Sequence, residues 1–289
     1  MNGILLIDKP RDWTSSDVVA KLRGILHERR IGHSGTLDPL ATGLLVVFVG
    51  RATRAVEFAE GHDKRYMARL RLGLVTDTQD ISGTVLETHP VEVTEAELEK
   101  ALESFKGQIE QIPPMYSAIK HNGRRLYEIA RKGGQVERIP RQISVYDISI
   151  AGREGQDWLL DIRCSKGSYI RTLCHDVGGA LGCGGCMSGL RRLEAGSFSL
   201  ENAASIQQVQ RLADEGRAEE LLLPVDSLFS QYRRCTANTF LEKKIRCGNP
   251  VKTGLADGDY RVYSQSGEFL MLGRVERGNM KTIKSFFEV

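Results

Sequence analysis

Several features that define membrane, secreted and nucleotide-dependent proteins are missing from this 289-residue sequence. No apolar run approaches the roughly 20 residues of a membrane-spanning helix. Residues 1–8 lack the basic region and cleavage site of a signal peptide and are predicted to form a first strand. We find no P-loop, dinucleotide-binding fingerprint, internal repeat or low-complexity tract. We therefore expect a cytoplasmic protein that is not associated with a membrane and binds no nucleotide cofactor.

Cysteine is also sparse, with six residues and half of a zinc-binding pattern. Cys183-Gly-Gly-Cys186 has the spacing of one ligand pair, but the second pair that a zinc ribbon requires is missing. Cys174 and His175 are adjacent on a predicted helix and therefore point in different directions. Because no secretion signal is found, we expect the cysteines to be free thiols. Because the zinc-binding pattern is incomplete, we expect no metal site.

Net charge is low as well, at +3, but it is unevenly distributed. Residues 106–141 contain eight Lys or Arg and three acidic residues, which gives +5. Residues 232–289 contain eleven Lys or Arg and six acidic residues, which again gives +5 and leaves about −7 for the rest. Basic segments on an acidic body favour binding to a polyanion. Charge alone also allows the alternative that both segments are ordinary solvated faces.

The most informative segment is residues 32–43, Gly-His-Ser-Gly-Thr-Leu-Asp-Pro-Leu-Ala-Thr-Gly. Its three glycines and one proline predict a shaped loop. The apolar run at residues 44–49 predicts a buried strand. Asp38 would thus lie on a loop beside the centre of a sheet, with its backbone restricted by Pro39. Taken alone, such an aspartate is more often a turn or capping residue than a reactive one.

The whole segment resembles the catalytic motif of the TruB family, the tRNA pseudouridine-55 synthases. The Lys-Arg-Tyr and Ser-Lys-Gly-Ser-Tyr-Ile-Arg segments are similar to two further motifs of that family. The resemblance implies that Asp38 is the nucleophile and that Arg171 pairs with it and orients it. It also implies that Tyr66 is the active-site tyrosine, whose ring can stack on the uracil with its hydroxyl near the C5 proton. Either Tyr66 or a water would assist removal of that proton. Whether Asp38 attacks C1′ of the ribose or C6 of the uracil stays open.

The same resemblance implies supporting roles for other residues, each of which has an ordinary structural alternative. Lys9 supports the site, and His33 fills the space that a flipped base leaves. Tyr169 packs under the site, and Leu190 lines the uracil pocket.

Residues 106–141 resemble the insertion with which these enzymes clamp the T stem-loop of tRNA. The string Gln-Ile-Pro-Pro-Met-Tyr-Ser-Ala carries this similarity, and the double proline excludes a central strand or helix. Lys120, Arg124 and Arg125 are the RNA contacts that we expect there, because basic and aromatic residues alternate on the segment.

Local patterns predict several elements directly. Thr14 is a candidate N-cap for a helix, and residues 64–72 alternate as in a half-buried strand. Residues 51–60 are predicted to be helical. Ser168 is predicted to cap a helix that continues to Leu181.

The implied fold class is α/β (α+β), a pseudouridine-synthase catalytic domain over residues 1–230 with a mixed, mainly antiparallel sheet. Residues 201–227, near the end of this domain, are acidic and are predicted to be helical. Residues 231–289 turn basic and contain short strands, which resembles the small, β-rich PUA-like RNA-binding domain of bacterial TruB proteins.

These observations predict a stand-alone, monomeric tRNA pseudouridine synthase that isomerises uridine-55 without cofactor, metal or guide RNA. Two alternatives stay open. A guide-RNA-dependent synthase of the dyskerin type would share the aspartate motif but would not need the clamp-like insertion. A non-catalytic RNA-binding or RNA-folding protein would explain the basic segments but would not need Asp38 together with Arg171.

Overall fold

The computed structural model describes residues 1–287, which form nineteen strands and seven α-helices. The strands are β1 (Gly3–Lys9), β2 (Ile31–Ser34), β3 (Thr42–Val49), β4 (Lys64–Leu72), β5 (Leu74–Thr76), β6 (Val85–Thr88), β7 (Gly107–Gln111), β8 (Lys120–His121), β9 (Arg124–Arg125), β10 (Arg141–Glu154), β11 (Asp157–Cys164), β12 (Gly185–Ala195), β13 (Phe198–Ser199), β14 (Leu222–Leu223), β15 (Arg233–Thr236), β16 (Val251–Lys252), β17 (Gly258–Tyr263), β18 (Phe269–Glu276) and β19 (Asn279–Ser285). The α-helices are α1 (Ser15–Leu26), α2 (Val56–Glu60), α3 (Glu95–Glu103), α4 (Leu126–Ala130), α5 (Ile170–Ala180), α6 (Ile206–Asp214) and α7 (Thr239–Arg246).

The main sheet has the order β14-β1-β3-β12-β4-β11-β10-β7, with β2 added to β3 and β13 added to β12. Every pairing in it is antiparallel except that of β12 with β3. The expectation of a mixed, mainly antiparallel sheet is therefore confirmed. β4 occupies the predicted residues and lies between β12 and β11 in the interior of the sheet.

Strand β3 is buried on both faces, as its apolar run predicts. Leu45, Val47 and Val49 pack with α1 and α6 on one side. The alternating residues, such as Val46 and Phe48, pack on the other side against aromatic residues of the C-terminal region. Two layers thus hold β3 in place, and β3 leads directly out of the Asp38 loop.

Helix α1 begins where its capping signal predicts. The Thr14 hydroxyl accepts a hydrogen bond from the Asp17 backbone N–H, and the Asp17 carboxylate accepts one from the Thr14 N–H. This reciprocal capping box satisfies two N–H groups that the first helical turn leaves free. It fixes the start of α1 next to the loop that carries Asp38.

A second sheet, with the order β15-β17-β18-β19-β16, forms the C-terminal part of the described chain. It confirms the expected β-rich C-terminal region, and its first strand begins at Arg233. An aromatic cluster joins it to the main sheet. The Phe229 ring is 5.3 Å from that of Phe58, 5.8 Å from that of Phe286 and 6.0 Å from that of Phe269.

The insertion (residues 106–141) begins and ends in the main sheet, because β7 pairs with the first part of β10. Beyond this base, the chain forms the two-stranded hairpin β8–β9 and the short helix α4. The expected loop-and-helix protrusion therefore contains a hairpin as well.

Three local predictions are wrong or incomplete. Gly32, His33 and Ser34 form part of β2 because they pair with β3, and this pairing outweighs their local loop preference. Ser168 does not cap α5, since its hydroxyl donates to the Ser165 carbonyl. Residues 201–227 contain α6 and three short 3-10 helices rather than continuous helix.

Within residues 1–287, no helix is long and apolar enough to cross a membrane. The six cysteines all fall in this range and are free thiols. In the same range, no group of three or more His, Cys, Asp or Glu side chains is arranged so that it could hold a metal ion.

Phe229→Ala should lower the free energy of unfolding by about 3–5 kcal/mol, because Phe229 is fully buried between the two sheets. Chemical denaturation measures this change. Phe240→Ala is the matched control, since its ring is 65% exposed and its loss should change stability by about 0.5 kcal/mol at most. Equal losses in the two variants would show that the aromatic cluster does not hold the sheets together.

Candidate active site

The Asp38 loop (residues 35–41) connects β2 to β3. Hydrogen bonds join it to Ser15, the first residue of α1, and through Lys9 to the segment that precedes α1. The backbone N–H of Leu37 donates to the Ser15 hydroxyl at 2.9 Å. Lys9 Nζ donates to the carbonyls of Trp13 at 2.6 Å, Pro10 at 2.8 Å and, more weakly, Pro39 at 3.4 Å. Buried groups therefore hold the residues on either side of Asp38.

Lys9 is completely buried, so it supports the loop from below. Burial lowers the pKa of Lys9 to about 8, although the nearby Asp38 carboxylate opposes this change. The ammonium group is therefore still mostly protonated at neutral pH. It contributes three donors to backbone carbonyls and a positive charge beneath Asp38.

Arg171, in the first turn of α5, forms an ion pair with Asp38. Its Nε lies 2.9 Å from Asp38 Oδ2, and its Nη2 lies 3.5 Å from Oδ1. The Arg171 side chain is only 7% exposed, whereas that of Asp38 is 39% exposed. The carboxylate is therefore held from the protein side and open on the other, as a group that must reach a substrate needs to be.

The other N–H groups of Arg171 are also satisfied. Nη2 donates to the Tyr116 carbonyl at 2.8 Å, and Nη1 donates to the Thr78 carbonyl at 3.1 Å. Asp80 Oδ2 lies 3.7 Å from Nη1 and supplies a second, weaker ion pair. These contacts lock the guanidinium plane and connect Asp38 to the insertion through Tyr116.

Asp77 and Asp80 lie in the polar turn between β5 and β6 and accept hydrogen bonds from its backbone. Asp77 accepts from the Thr84 N–H, and Asp80 accepts from the Ser82 N–H. Asp80 has the additional contact to Arg171, which its position in a polar turn does not reveal.

Tyr66 lies in the middle of β4, between Ile162 of β11 and Arg192 of β12. It is 8% exposed, and burial raises the pKa of its hydroxyl. Asp38 is close enough for its charge to raise this pKa further, whereas Arg192 lowers it. The structure therefore brings Tyr66, Asp38 and Arg171 together.

His33, Leu190 and Tyr169 surround this centre. His33 is half-buried, and its Nδ1 has no hydrogen-bond partner within residues 1–287. Burial and, secondly, Arg192 lower the pKa of His33, so the ring is neutral at pH 7. Leu190 is half-buried beside the apolar residues around Tyr66. Gln111 binds both the N–H and the carbonyl of Tyr169 at the start of α5.

Lys120, Arg124 and Arg125 are exposed on the β8–β9 hairpin. In the described part of the chain, no carboxylate pairs with them and no hydrogen bond joins them to Asp38, Tyr66 or Arg171. Arg125 lies 5.9 Å from the centre of the Tyr127 ring. The hairpin thus presents unneutralised positive charge beside an aromatic ring.

Four residues of the site are missed by sequence reasoning: Ser15, Asp80, Gln111 and Arg192. Ser15 and Gln111 act on backbone groups that are distant in sequence, which no local pattern indicates. Arg191 and Arg192 are consecutive residues of the Leu-Arg-Arg-Leu string. Because consecutive residues of a strand face opposite sides of the sheet, one of the two had to face the interior. That alternation is the one sequence feature that could have identified it.

Two family descriptions match consecutive parts of the chain. Residues 23–170 match the TruB family pseudouridylate synthase N-terminal domain, and residues 171–230 match the tRNA pseudouridylate synthase B C-terminal domain. The first match covers β2 to β11 and the Asp38 loop. The second begins at Arg171.

Similar curated proteins include the tRNA pseudouridine synthase B of Clostridium kluyveri, 40% identical over 292 residues and covering 99% of this chain and 100% of that protein. The Yersinia enterocolitica serotype O:8 protein of the same name is 39% identical over 287 residues, which covers 95% of this chain and 87% of that protein. The Escherichia coli O1:K1 / APEC protein of the same name is 39% identical over 288 residues, which covers 96% of this chain and 92% of that protein.

Two solved structures contain a chain with a similar fold. A chain of a Cbf5-Nop10-Gar1 complex aligns with a TM-score of 0.76 at 26% identity, covering 99% of this chain and 85% of that chain. A chain of an H/ACA RNP bound to a substrate RNA containing 2′-deoxyuridine aligns with a TM-score of 0.75 at 23% identity and the same coverage, which shows the shared fold. With sequence, fold and site geometry in agreement, the chain belongs to the TruB family of pseudouridylate synthases.

Proposed function

We propose that this chain is a stand-alone synthase that isomerises uridine-55 in the T loop of tRNA to pseudouridine, with Asp38 as the nucleophile. The observation that carries the proposal is the pairing of a half-exposed Asp38 with a buried Arg171 within the family's motif. The reaction breaks the N1–C1′ bond, turns the base and rejoins it through C5. An isomerisation of this kind requires neither a redox cofactor nor a nucleotide.

Asp38 is suited to nucleophilic attack because its orientation is set before the substrate arrives. Arg171 contacts both carboxylate oxygens, and Lys9 and Ser15 hold the backbone around them. A side chain held in one geometry loses little entropy on reaching the transition state. Either C1′ or C6 of the nucleotide is a chemically reasonable target for a carboxylate.

Tyr66 and Leu190 form an apolar floor on which a uracil can stack. The Tyr66 ring is buried between neighbouring strands, and its hydroxyl lies near Asp38. After the base rejoins through C5, the C5 proton must leave, and Tyr66 is the group in position to receive it.

A uridine inside a folded tRNA arm reaches this site only if it is flipped out, which costs about a few kcal/mol. His33 supports this step because burial and Arg192 lower the pKa of its ring, which favours the neutral form. A neutral aromatic ring can occupy the space that the flipped base leaves in the stack.

The exposed Lys120, Arg124 and Arg125 support phosphate binding by the insertion. The hydrogen bond from Arg171 to the Tyr116 carbonyl supports a connection between the insertion and the site. A monomer suffices for this arrangement, because every residue in the proposal belongs to one chain. The likeness of sequence to proteins named tRNA pseudouridine synthase B supports a stand-alone enzyme over a guide-dependent one.

A T-arm stem-loop carrying tritium at C5 of the target uracil should release tritium with the wild-type protein and not with Asp38→Asn. The substitution keeps the side-chain shape but removes the charge of the nucleophile. Scintillation counting of released water measures the reaction. Release by both proteins would exclude Asp38 as the nucleophile, and release by neither would exclude the stem-loop as substrate.

Arg171→Ala should lower turnover about 100-fold or more while leaving RNA affinity near that of the wild type, because it misplaces Asp38 without removing an RNA contact. Single-turnover kinetics and filter binding measure the two quantities. Arg274→Ala is the control, since Arg274 also contacts both carboxylate oxygens of an aspartate, Asp259, but does so on the exposed surface of the second sheet. Wild-type turnover in Arg171→Ala would remove Arg171 from the mechanism.

RNA binding should weaken steeply with salt, and replacing Lys120, Arg124 and Arg125 with Ala should flatten that response. Removing one phosphate-binding cation lowers the slope of log K against log salt by about 0.7–0.9. Affinity measured between low and physiological salt gives the slope. Removing three charges outside the insertion (Lys21, Arg211 and Arg217) is the control, and an equal effect there would refute a specific role for the hairpin.

A further inference from the structure

Arg192 is the largest fully buried side chain among residues 1–287. The proposed function gives it no role. It is 1% exposed and lies on β12. Among residues 1–287, no carboxylate forms an ion pair with it. An arginine stays protonated in proteins, so a full positive charge is held in the interior without a matching negative charge.

Its contacts show how the guanidinium is oriented. Nε donates to the Leu44 carbonyl at 2.7 Å, and Nη2 donates to the Gly35 carbonyl at 2.9 Å. These two bonds connect the first residue of the Asp38 loop to the start of β3. The Arg192 side chain is also the direct neighbour of Tyr66 across the β12–β4 pair, and its charge favours the ionised form of the Tyr66 hydroxyl.

Other charges near this pair do not neutralise Arg192. Lys9, His33 and Lys64 all feel its positive charge, and it lowers the pKa of each of them. The titratable groups that face Tyr66 are Arg192, Asp38 and Cys164. Cys164 stays neutral because burial raises the pKa of its thiol to about 11, and Asp38 is paired with Arg171.

This arrangement fits a requirement of the reaction. A neutral phenol cannot accept a proton, so Tyr66 must lose its own proton before it takes one from C5. Burial opposes that ionisation, since it raises the pKa of Tyr66. A fixed cation on the neighbouring strand favours the phenolate, and the charge of an arginine does not itself depend on pH near neutrality.

We propose that Arg192 is a positioning residue that orients the Tyr66 hydroxyl and stabilises the phenolate in which Tyr66 accepts the C5 proton. In that step the C5–H bond breaks, a phenol O–H bond forms, and the electron pair of the C5–H bond becomes the C5–C6 double bond. At the same time C6 gives up one bonding pair, which is its second bond to N1 if Asp38 attacks C1′ or its bond to Asp38 if Asp38 attacks C6. Tyr66 loses its own proton to solvent beforehand, and N1 takes up one proton from solvent, so the protons balance. This inference rests on the proposed function, in which Tyr66 is the base.

The alternative role for Arg192 is purely structural, because its bonds to Gly35 and Leu44 would hold the Asp38 loop without any effect on Tyr66. The two roles differ in one respect. Only the proposed role changes the ionisation of Tyr66 in the absence of RNA.

The first experiment places 3-fluorotyrosine at position 66 and follows its ionisation by fluorine NMR without RNA. In Arg192→Met, which removes the charge and keeps an apolar stem, residue 66 should titrate about one pH unit or more higher than in the wild type. Arg65→Met is the matched control, because Arg65 precedes Tyr66 on β4, faces the other side and pairs with Asp161 and Glu194. An unchanged titration in folded Arg192→Met overturns the proposal.

A second experiment covers the case in which Arg192→Met does not fold. Arg192→Lys keeps the charge, but its single ammonium group cannot reach two carbonyls and the hydroxyl together. We expect it to lower C5 tritium release, to enlarge the C5 deuterium isotope effect and to make the rate rise more steeply with pH. In the Tyr66→Phe background, Arg192→Lys should lower the rate of tritium release only slightly further. If the double variant instead shows the sum of the two single losses in activation free energy, the proposal is overturned.

Failure of this inference is distinguishable from failure of the proposed function. The fluorine titration needs no RNA and no turnover, so it tests the Arg192–Tyr66 coupling alone. Absence of tritium release from wild-type protein would refute the proposed function whatever the titration shows.

Discussion

The ion pair between Arg171 and Asp38 is the interaction on which the site depends. Arg171 is buried, so its charge must be met on every side, and the groups that meet it come from separate segments: Asp38 on its loop, Thr78 and Asp80 in a polar turn, and Tyr116 in the insertion, with Arg171 itself on α5. Removing any one partner would leave a buried donor or charge unsatisfied, which costs more than the interaction itself contributes. The pair therefore defines the relative position of Asp38, the turn and the insertion.

The sheet supplies the rigidity that this pair needs. β3 and β4 are not adjacent, because β12 lies between them and pairs parallel with the first and antiparallel with the second. Asp38 precedes β3 and Tyr66 lies within β4, so β12 sets the spacing between Asp38 and Tyr66. The same strand carries Leu190 and Arg192. A strand that bridges the two halves of the site thus also contributes to its floor and its charge.

Local patterns predicted those parts of the structure whose causes are local. The capping box at Thr14, the alternation of residues 64–72 and the buried run after Asp38 all appear as expected. The roles of the residues that the family resemblance implies stay predictions until the enzyme is assayed. What sequence reasoning could not give depends on contacts between distant residues. β2 forms because β3 is available to pair with it, and α5 begins directly after Tyr169, whose backbone Gln111 binds. The position of Arg192 depends on distant contacts in the same way, since its partners are backbone carbonyls of the Asp38 loop and of β3.

The balance of charge in the floor of the site follows from these contacts. Arg171 is matched by Asp38 and Asp80, whereas Lys9 and Arg192 are buried and donate to neutral carbonyls. The floor therefore carries more positive than negative charge in the absence of substrate. A fixed excess of this sign lowers the free energy of any negative charge that forms there, whether on a carboxylate, a uracil ring or a phenolate, and it does so without reorganising during the reaction. The same excess attracts the phosphate backbone of RNA. One arrangement of buried cations thus favours both the approach of the substrate and the anionic steps of its isomerisation.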